Sequence, residues 1–164
     1  MTVLSLDPSL RAFGWAIIQD NEFIDGGCIV TKKLDKSFKV SDSDTASLIS
    51  IATSLKEVLT KYSCDAILFE APIGSKSGRA NQALSFVKGL VIAISVFSNI
   101  PPLAFRAKSV KKALTGDLNA TKEDILQKVS EKMPSFSKKT SHLPKFKVYA
   151  ISDAVAVYIA SECK

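Results

Sequence analysis

The chain of 164 residues has few of the residues on which cross-linked or metal-stabilised small proteins depend. It contains three cysteines, none of them in a Cys-x-x-Cys pair, and a single histidine, His142. This number and spacing of cysteines exclude a disulfide framework and give no zinc motif. No Walker-type phosphate loop and no Gly-x-Gly-x-x-Gly motif occurs, so no nucleotide cofactor is predicted.

Long hydrophobic runs are also missing. The longest uncharged apolar stretch covers residues 89–97, far short of the roughly 20 residues that span a bilayer. The N-terminus has neither the basic region nor the long apolar region of a signal peptide. No internal repeat or interdomain linker is visible. These features predict one soluble domain over residues 1–164, with no membrane partner, in a reducing compartment such as the cytoplasm.

Positive charge is concentrated in one part of the chain. Lys and Arg number 22 against 16 Asp and Glu, a net charge of +6. Residues 106–147 hold eleven basic and four acidic residues, which accounts for the whole excess. Lysine binds phosphate as a point charge, so this segment favours a polyanionic partner such as nucleic acid. A solvated lysine-rich face is the alternative.

The hydrophobic periodicity predicts an α/β fold with a mixed sheet flanked by helices. Apolar runs predict five strands, the first three forming an antiparallel meander: 3–7, 14–19, 23–31, 66–70 and 103–105. Helical spacing or capping residues predict five helices: 48–62, 81–98, 107–115, one opened by Thr121, and 148–161. Two charged segments, 32–44 and 134–147, are predicted to be surface loops.

Three carboxylates lie at positions where such a fold forms sites. Two strands end on Asp7 and Glu70, and the carboxyl ends of neighbouring parallel strands meet at one edge of a sheet. Asp153 lies in the apolar final helix, where an unpartnered carboxylate is costly. Three such oxygen ligands favour Mg²⁺ or Mn²⁺. Alternatively, Asp7 caps a turn before Pro8, Glu70 ends its strand in water, and Asp153 lies at the surface.

Four segments resemble the motifs of the RuvC family of Holliday-junction resolvases. They are Leu-Asp-Pro-Ser-Leu at 6–10 with Gly-Trp-Ala at 14–16, Ile-Leu-Phe-Glu at 67–70, Val-Lys-Lys-Ala-Leu-Thr-Gly at 110–116 with Ala-Thr-Lys at 120–122, and Ser-Asp-Ala-Val-Ala at 152–156. They occur in the family's order and with similar spacing along nearly the whole chain.

The resemblance implies a ribonuclease H-like fold, a homodimer, and Mg²⁺-dependent cleavage of four-way or otherwise branched DNA. Two ions per site, with Mn²⁺ as a substitute, would leave 5′-phosphate and 3′-hydroxyl ends. The catalytic metal ligands that it implies are Asp7, Glu70 and Asp153. The predicted DNA contacts are Lys111, Lys122, Lys112, Lys76 and Arg79. The apolar helix 81–98 is the expected dimer surface.

The chain departs from the family's pattern at two positions. The family's fourth acid lies one helical turn before the position of Asp153, and this chain has Ala150 there. A water, the Ser152 hydroxyl and Asp117 are the alternatives that would take the place of this acid. A base-stacking Phe three residues after the second acid is Ile73 here. Because this acid is missing, a catalytically weak or inactive protein that binds branched DNA is an alternative interpretation. A sugar-kinase or actin-type ATPase shares the strand–Asp–Gly opening but needs two such domains in a longer chain.

Overall fold

The computed structural model describes residues 1–71 and 77–163, which form five strands and six helices. The strands are β1 (Thr2–Asp7), β2 (Ala12–Gln19), β3 (Glu22–Val30), β4 (Ala66–Ala71) and β5 (Pro102–Arg106). The helices are α1 (Val40–Lys61), α2 (Gly78–Phe97), α3 (Ala107–Thr115), α4 (Lys122–Lys132), α5 (Pro134–Thr140) and α6 (Lys145–Ser161).

The strands form one mixed sheet in the order β3-β2-β1-β4-β5. The first three strands are an antiparallel meander, and β4 and β5 add to it in parallel. The predicted mixed five-stranded sheet is therefore confirmed. In the β1–β4 register Leu6 lies opposite Phe69. The residues that follow them, Asp7 and Glu70, consequently lie side by side at the carboxyl ends of these two strands.

Helices cover both faces of the sheet and bury a separate core on each. One core includes residues of α1 and α2, and the other includes residues of α3, α4, α5 and α6. Helix α6 contacts β1 and β2 directly. The buried Ser5 hydroxyl donates to the Ala154 carbonyl over 2.6 Å. A Cβ added at Gly14 would lie 2.0 Å from the Ala150 carbonyl oxygen, so only glycine allows this close approach of strand and helix.

Both predicted surface loops contain helix, and those two predictions were wrong in part. The segment 32–44 includes the first turn of α1, where the buried Asp44 carboxylate pairs with Arg11. The segment 134–147 includes all of α5 and the start of α6. Phe136 of α5 packs edge-on against Phe23, with ring centroids 5.4 Å apart. Because both segments are rich in charged residues, their sequence pattern did not reveal the few side chains that are buried.

Helix α2 leaves much of its apolar surface uncovered. By length and composition it is the one helix in the described residues that could cross a membrane. Only Val87, Val91 and Ser95 are buried among its described residues. The exposed apolar side chains include Phe86, Ile92, Val96 and Phe97, the last being 86% exposed.

Candidate active site

The three predicted carboxylates come from three elements that the fold brings together. Asp7 ends β1, and Glu70 lies near the end of the parallel neighbour β4. Asp153 lies on α6, next to the residue whose carbonyl accepts the Ser5 hydrogen bond. All three carboxylates are partly buried. The shared sheet edge and the packing of α6 thus place them in one neighbourhood.

Their charges act on one another. Burial, followed by the carboxylates of Asp153 and Glu70, raises the pKa of Asp7 well above its usual value. Burial and then the charge of Asp153 raise the pKa of Glu70 to about 7. Burial also raises the pKa of Asp153, against the opposing charges of two lysines. Like charges held together in this way favour protonation, or a cation placed between them.

Lys111 and Lys122 are those two lysines. The Lys122 ammonium nitrogen lies 3.4 Å from Asp153 Oδ2, and its side chain is 65% exposed. Its backbone is fixed because Thr121 and Asp124 form a complete capping box at the start of α4, as the sequence predicted. The Lys111 ammonium group donates to the Ala120 carbonyl over 2.8 Å and so ties α3 to the loop before α4.

As it stands, the cluster is looser than a metal coordination sphere. Among the His, Cys, Asp and Glu residues that the structure describes, no group of three could hold a metal ion. The type of donor nevertheless suits a hard divalent cation, which prefers carboxylate oxygens. Bringing the three carboxylates onto such a cation would also relieve the repulsion that raises the pKa of Asp7 and of Glu70.

The other predicted DNA contacts fall in different surroundings. Lys112 is exposed on α3. Arg79, at the start of α2, pairs with the buried Asp44 carboxylate, whose second oxygen lies 3.2 Å from Arg11. Lys76 lies outside the described residues, as does Ile73. Sequence reasoning missed this Arg–Asp–Arg arrangement because nothing in a single sequence pairs residues so far apart.

The two side chains considered in place of the family's fourth acid, Ser152 and Asp117, lie in different environments. The Ser152 hydroxyl is buried and, within the described part of the chain, has no hydrogen-bond partner. Asp117 is exposed and accepts a hydrogen bond of 2.8 Å from the Asn119 amide in its own loop. Ala150 is buried against Gly14 of β2.

Known proteins resemble this chain over almost its whole length. The profile of the family described as crossover junction endodeoxyribonuclease RuvC matches residues 3–161. The RuvC protein of Ehrlichia chaffeensis is 27% identical, over 96% of this chain and 93% of its own length. That of Trichlorobacter lovleyi is 30% identical, over 97% of this chain and 83% of its own.

Solved structures of low sequence identity share the fold. Thermus thermophilus RuvC in complex with a Holliday junction substrate gives a TM-score of 0.75 at 19% identity, covering 98% of this chain and 92% of that one. The yeast mitochondrial Holliday junction resolvase Ydc2 gives 0.63 at 15% identity, covering 96% and 76%. These likenesses confirm the predicted ribonuclease H-like fold, and the profile match confirms the resemblance seen in the motifs. The chain therefore belongs to the crossover junction endodeoxyribonuclease RuvC family.

Proposed function

We propose that this protein is a structure-selective DNA endonuclease that resolves Holliday junctions or other branched DNA by Mg²⁺-dependent hydrolysis of phosphodiester bonds. The observation that carries the proposal is the carboxylate cluster of Asp7, Glu70 and Asp153, in which the charge of Asp153 raises the pKa of the other two and both Lys111 and Lys122 act on Asp153. The family to which the chain belongs, and the junction named in the Thermus thermophilus RuvC complex, support the substrate.

The carboxylates would hold two Mg²⁺ ions, with Mn²⁺ as a substitute. When bound, such ions activate a water and stabilise the leaving 3′ oxygen, which gives 5′-phosphate and 3′-hydroxyl ends. The chain's own contribution is to fix the ligands on the rigid elements β1, β4 and α6. Lys111 and Lys122 supply positive charge for the DNA phosphate beside them, and Lys112 extends the basic surface.

Cleavage of labelled DNA tests this proposal. We expect four-way junctions to be cut in Mg²⁺ and left intact in chelator, with linear duplex left intact in both. Asp7→Asn should abolish cutting while junction binding persists, because the lysines and the fold remain. Glu57→Gln, an exposed carboxylate on α1, serves as the matched control and should cut normally. An Asp7→Asn protein that cuts at the normal rate would show that this metal ligand is wrongly assigned.

The alternative is a catalytically weak or inactive protein that binds branched DNA. The observation in its favour is that Ala150 occupies the position of the family's fourth acid. A Mg²⁺ and Mn²⁺ titration of junction cleavage separates the two candidates. Binding to the junction without incision at any concentration of either ion would select the alternative.

The salt dependence of binding tests the proposed phosphate contacts. Neutralising Lys111 and Lys122 to glutamine should weaken junction binding and make the plot of affinity against salt shallower, by about one unit of slope for each lost contact. The control is Lys56→Gln, since this exposed lysine lies on α1, on the opposite face of the sheet. An unchanged slope in the double variant would remove both lysines from the interface.

We also propose that the protein forms a homodimer through α2. An exposed apolar surface of this extent favours a partner, and a two-fold dimer would present two identical sites to the two strands of a symmetric junction. Ile92→Lys should convert a dimer into a monomer in sedimentation measurements. A junction should then be nicked once rather than cut in pairs. A wild-type protein that sediments as a monomer at all concentrations would exclude the dimer.

A further inference from the structure

A second cluster of side chains borders the carboxylates. The Lys122 ammonium nitrogen, 3.4 Å from Asp153 Oδ2, also lies 5.9 Å from the centre of the Tyr149 ring. That distance is within the range of a cation–π contact. Tyr149 lies on α6, one helical turn before Asp153. The same ammonium group therefore interacts with a carboxylate of the candidate active site and with an aromatic ring on the same helix.

The Tyr149 ring is itself held in place by other contacts. Its hydroxyl donates to Glu123 Oε1 over 2.6 Å. The Lys145 ammonium nitrogen lies 3.6 Å from the same oxygen and 5.3 Å from the centre of the ring. Glu123 follows Lys122 in the chain, but its carboxylate pairs with Tyr149 and Lys145, whereas the ion pair of Lys122 is with Asp153. The hydrogen bond to Glu123 therefore anchors the Tyr149 ring at the start of α4, where Lys122 lies.

We propose that Tyr149 is a positioning residue that holds the Lys122 ammonium group beside Asp153. This inference rests on the proposed function, since a lysine at that point serves a nuclease by meeting the DNA phosphate. The capping box fixes the backbone of Lys122 but leaves its long side chain free, and that side chain is 65% exposed. The ring reduces the number of conformations that the side chain samples, and so reduces the entropy lost when it contacts a phosphate.

The position of Lys122 can be measured without any cleavage assay. Reductive ¹³C-dimethylation keeps the lysine charge, and a ring beside the nitrogen shifts the methyl resonances. We expect Tyr149→Leu to move the Lys122 resonance towards that of a solvent-exposed lysine, and Tyr149→Phe, which keeps the ring but loses the hydrogen bond to Glu123, to move it less. Lys61, which lies 4.7 Å from the centre of the Tyr62 ring, is the internal control and should not change. An unchanged Lys122 resonance in Tyr149→Leu would overturn the proposal.

Single-turnover cleavage of a four-way junction tests the consequence. Tyr149→Leu should slow the cleavage step about three- to five-fold, the size expected from an exposed cation–π contact, and should weaken junction binding in chelator by no more than Lys122→Ala does. Tyr149→Phe should restore most of the rate. In a Lys122→Ala background, Tyr149→Leu should cause no further loss. An equal loss in that background would assign Tyr149 a role independent of Lys122 and refute the inference. If the wild-type protein cuts nothing, the proposed function fails, while the resonance of Lys122 still decides the role of Tyr149.

Discussion

Replacing Glu70 by glutamine in the metal-free protein tests whether burial and the charge of Asp153 make an ionised Glu70 unfavourable in the folded state. Burial and the charge of Asp153 raise the pKa of Glu70 from 4.5 to about 7. Glutamine has a similar shape and no charge. The substitution should therefore stabilise the folded protein wherever Glu70 would otherwise be ionised.

The magnitude and the direction with pH follow from linkage. The folded protein holds the Glu70 proton more tightly than the unfolded chain, so stability falls as the pH rises from the unfolded pKa of 4.5 to the folded pKa of about 7. A rise of about 2.5 pKa units corresponds to about 3 kcal/mol at most. This cost is complete above about pH 7, decreases as the pH falls, and is absent below about pH 4.5. Removing the Glu70 charge also relieves Asp7, whose pKa it raises.

Urea unfolding in chelator measures the effect. At about pH 8.5, Glu70→Gln should raise the free energy of unfolding by about 2–3 kcal/mol, and at about pH 4.5 the two proteins should be equally stable. Added Mg²⁺ should stabilise the wild type more than the variant, because the variant has lost a ligand. Glu57→Gln is the matched control and should change little at either pH, since Glu57 is exposed.

Two results would refute this reasoning. If Glu70→Gln gives no gain at the higher pH, an ionised Glu70 is not unfavourable in the folded state. If the gain is the same at both values of pH, its cause is packing rather than charge. Either result would remove the electrostatic argument for a shared site.

Four further substitutions test the supporting structure, each followed by urea unfolding. Gly14→Ala should destabilise the protein by about 3 kcal/mol because its Cβ would meet the Ala150 carbonyl. Gly89→Ala, with no heavy atom within 4 Å of the added Cβ, should instead stabilise α2 by up to about 1 kcal/mol. Asp44→Ala removes the carboxylate that binds two partly exposed guanidinium groups and should cost about 1–2 kcal/mol through loss of charged hydrogen bonds. Thr121→Val should cost about 1 kcal/mol through loss of the cap at α4.

Much of the fold could be predicted because local patterns and tertiary packing agree. The five strands and the capping box at Thr121 follow from apolar runs and capping residues, and the structure has them all. Gly116, predicted to close α3, has a φ of 80°. The carboxyl ends of the strands likewise placed Asp7 and Glu70 at one edge. The single-domain organisation, the cytoplasmic location and the metal ligands stay predictions.

The parts of the fold and of the candidate site that the sequence did not predict depend on contacts between residues far apart in the chain. The segment around Asp44 has the composition of a loop, yet it forms the start of α1, where Asp44 pairs with two arginines that are far away in the chain. Helix α5 is short, and Phe136 is held by Phe23, more than a hundred residues away in the chain. The position of Tyr149 beside Lys122 is of the same kind. Such pairings leave no periodic signal in one sequence.

The position of Asp153 depends on backbone packing rather than on the charge it carries. The Ala154 carbonyl accepts the Ser5 hydroxyl, and the Ala150 carbonyl lies against Gly14. Both contacts use main-chain atoms of α6, so the helix is placed on the sheet before any cation binds. The repulsion among the carboxylates therefore lowers the stability of the folded protein. The packing of α6 holds the carboxylates together in spite of this repulsion, and a bound cation would remove it. The effects of charge and of packing can therefore be measured separately. Neutralising Glu70 should raise stability and abolish cleavage, whereas filling the space at Gly14 should lower both stability and cleavage.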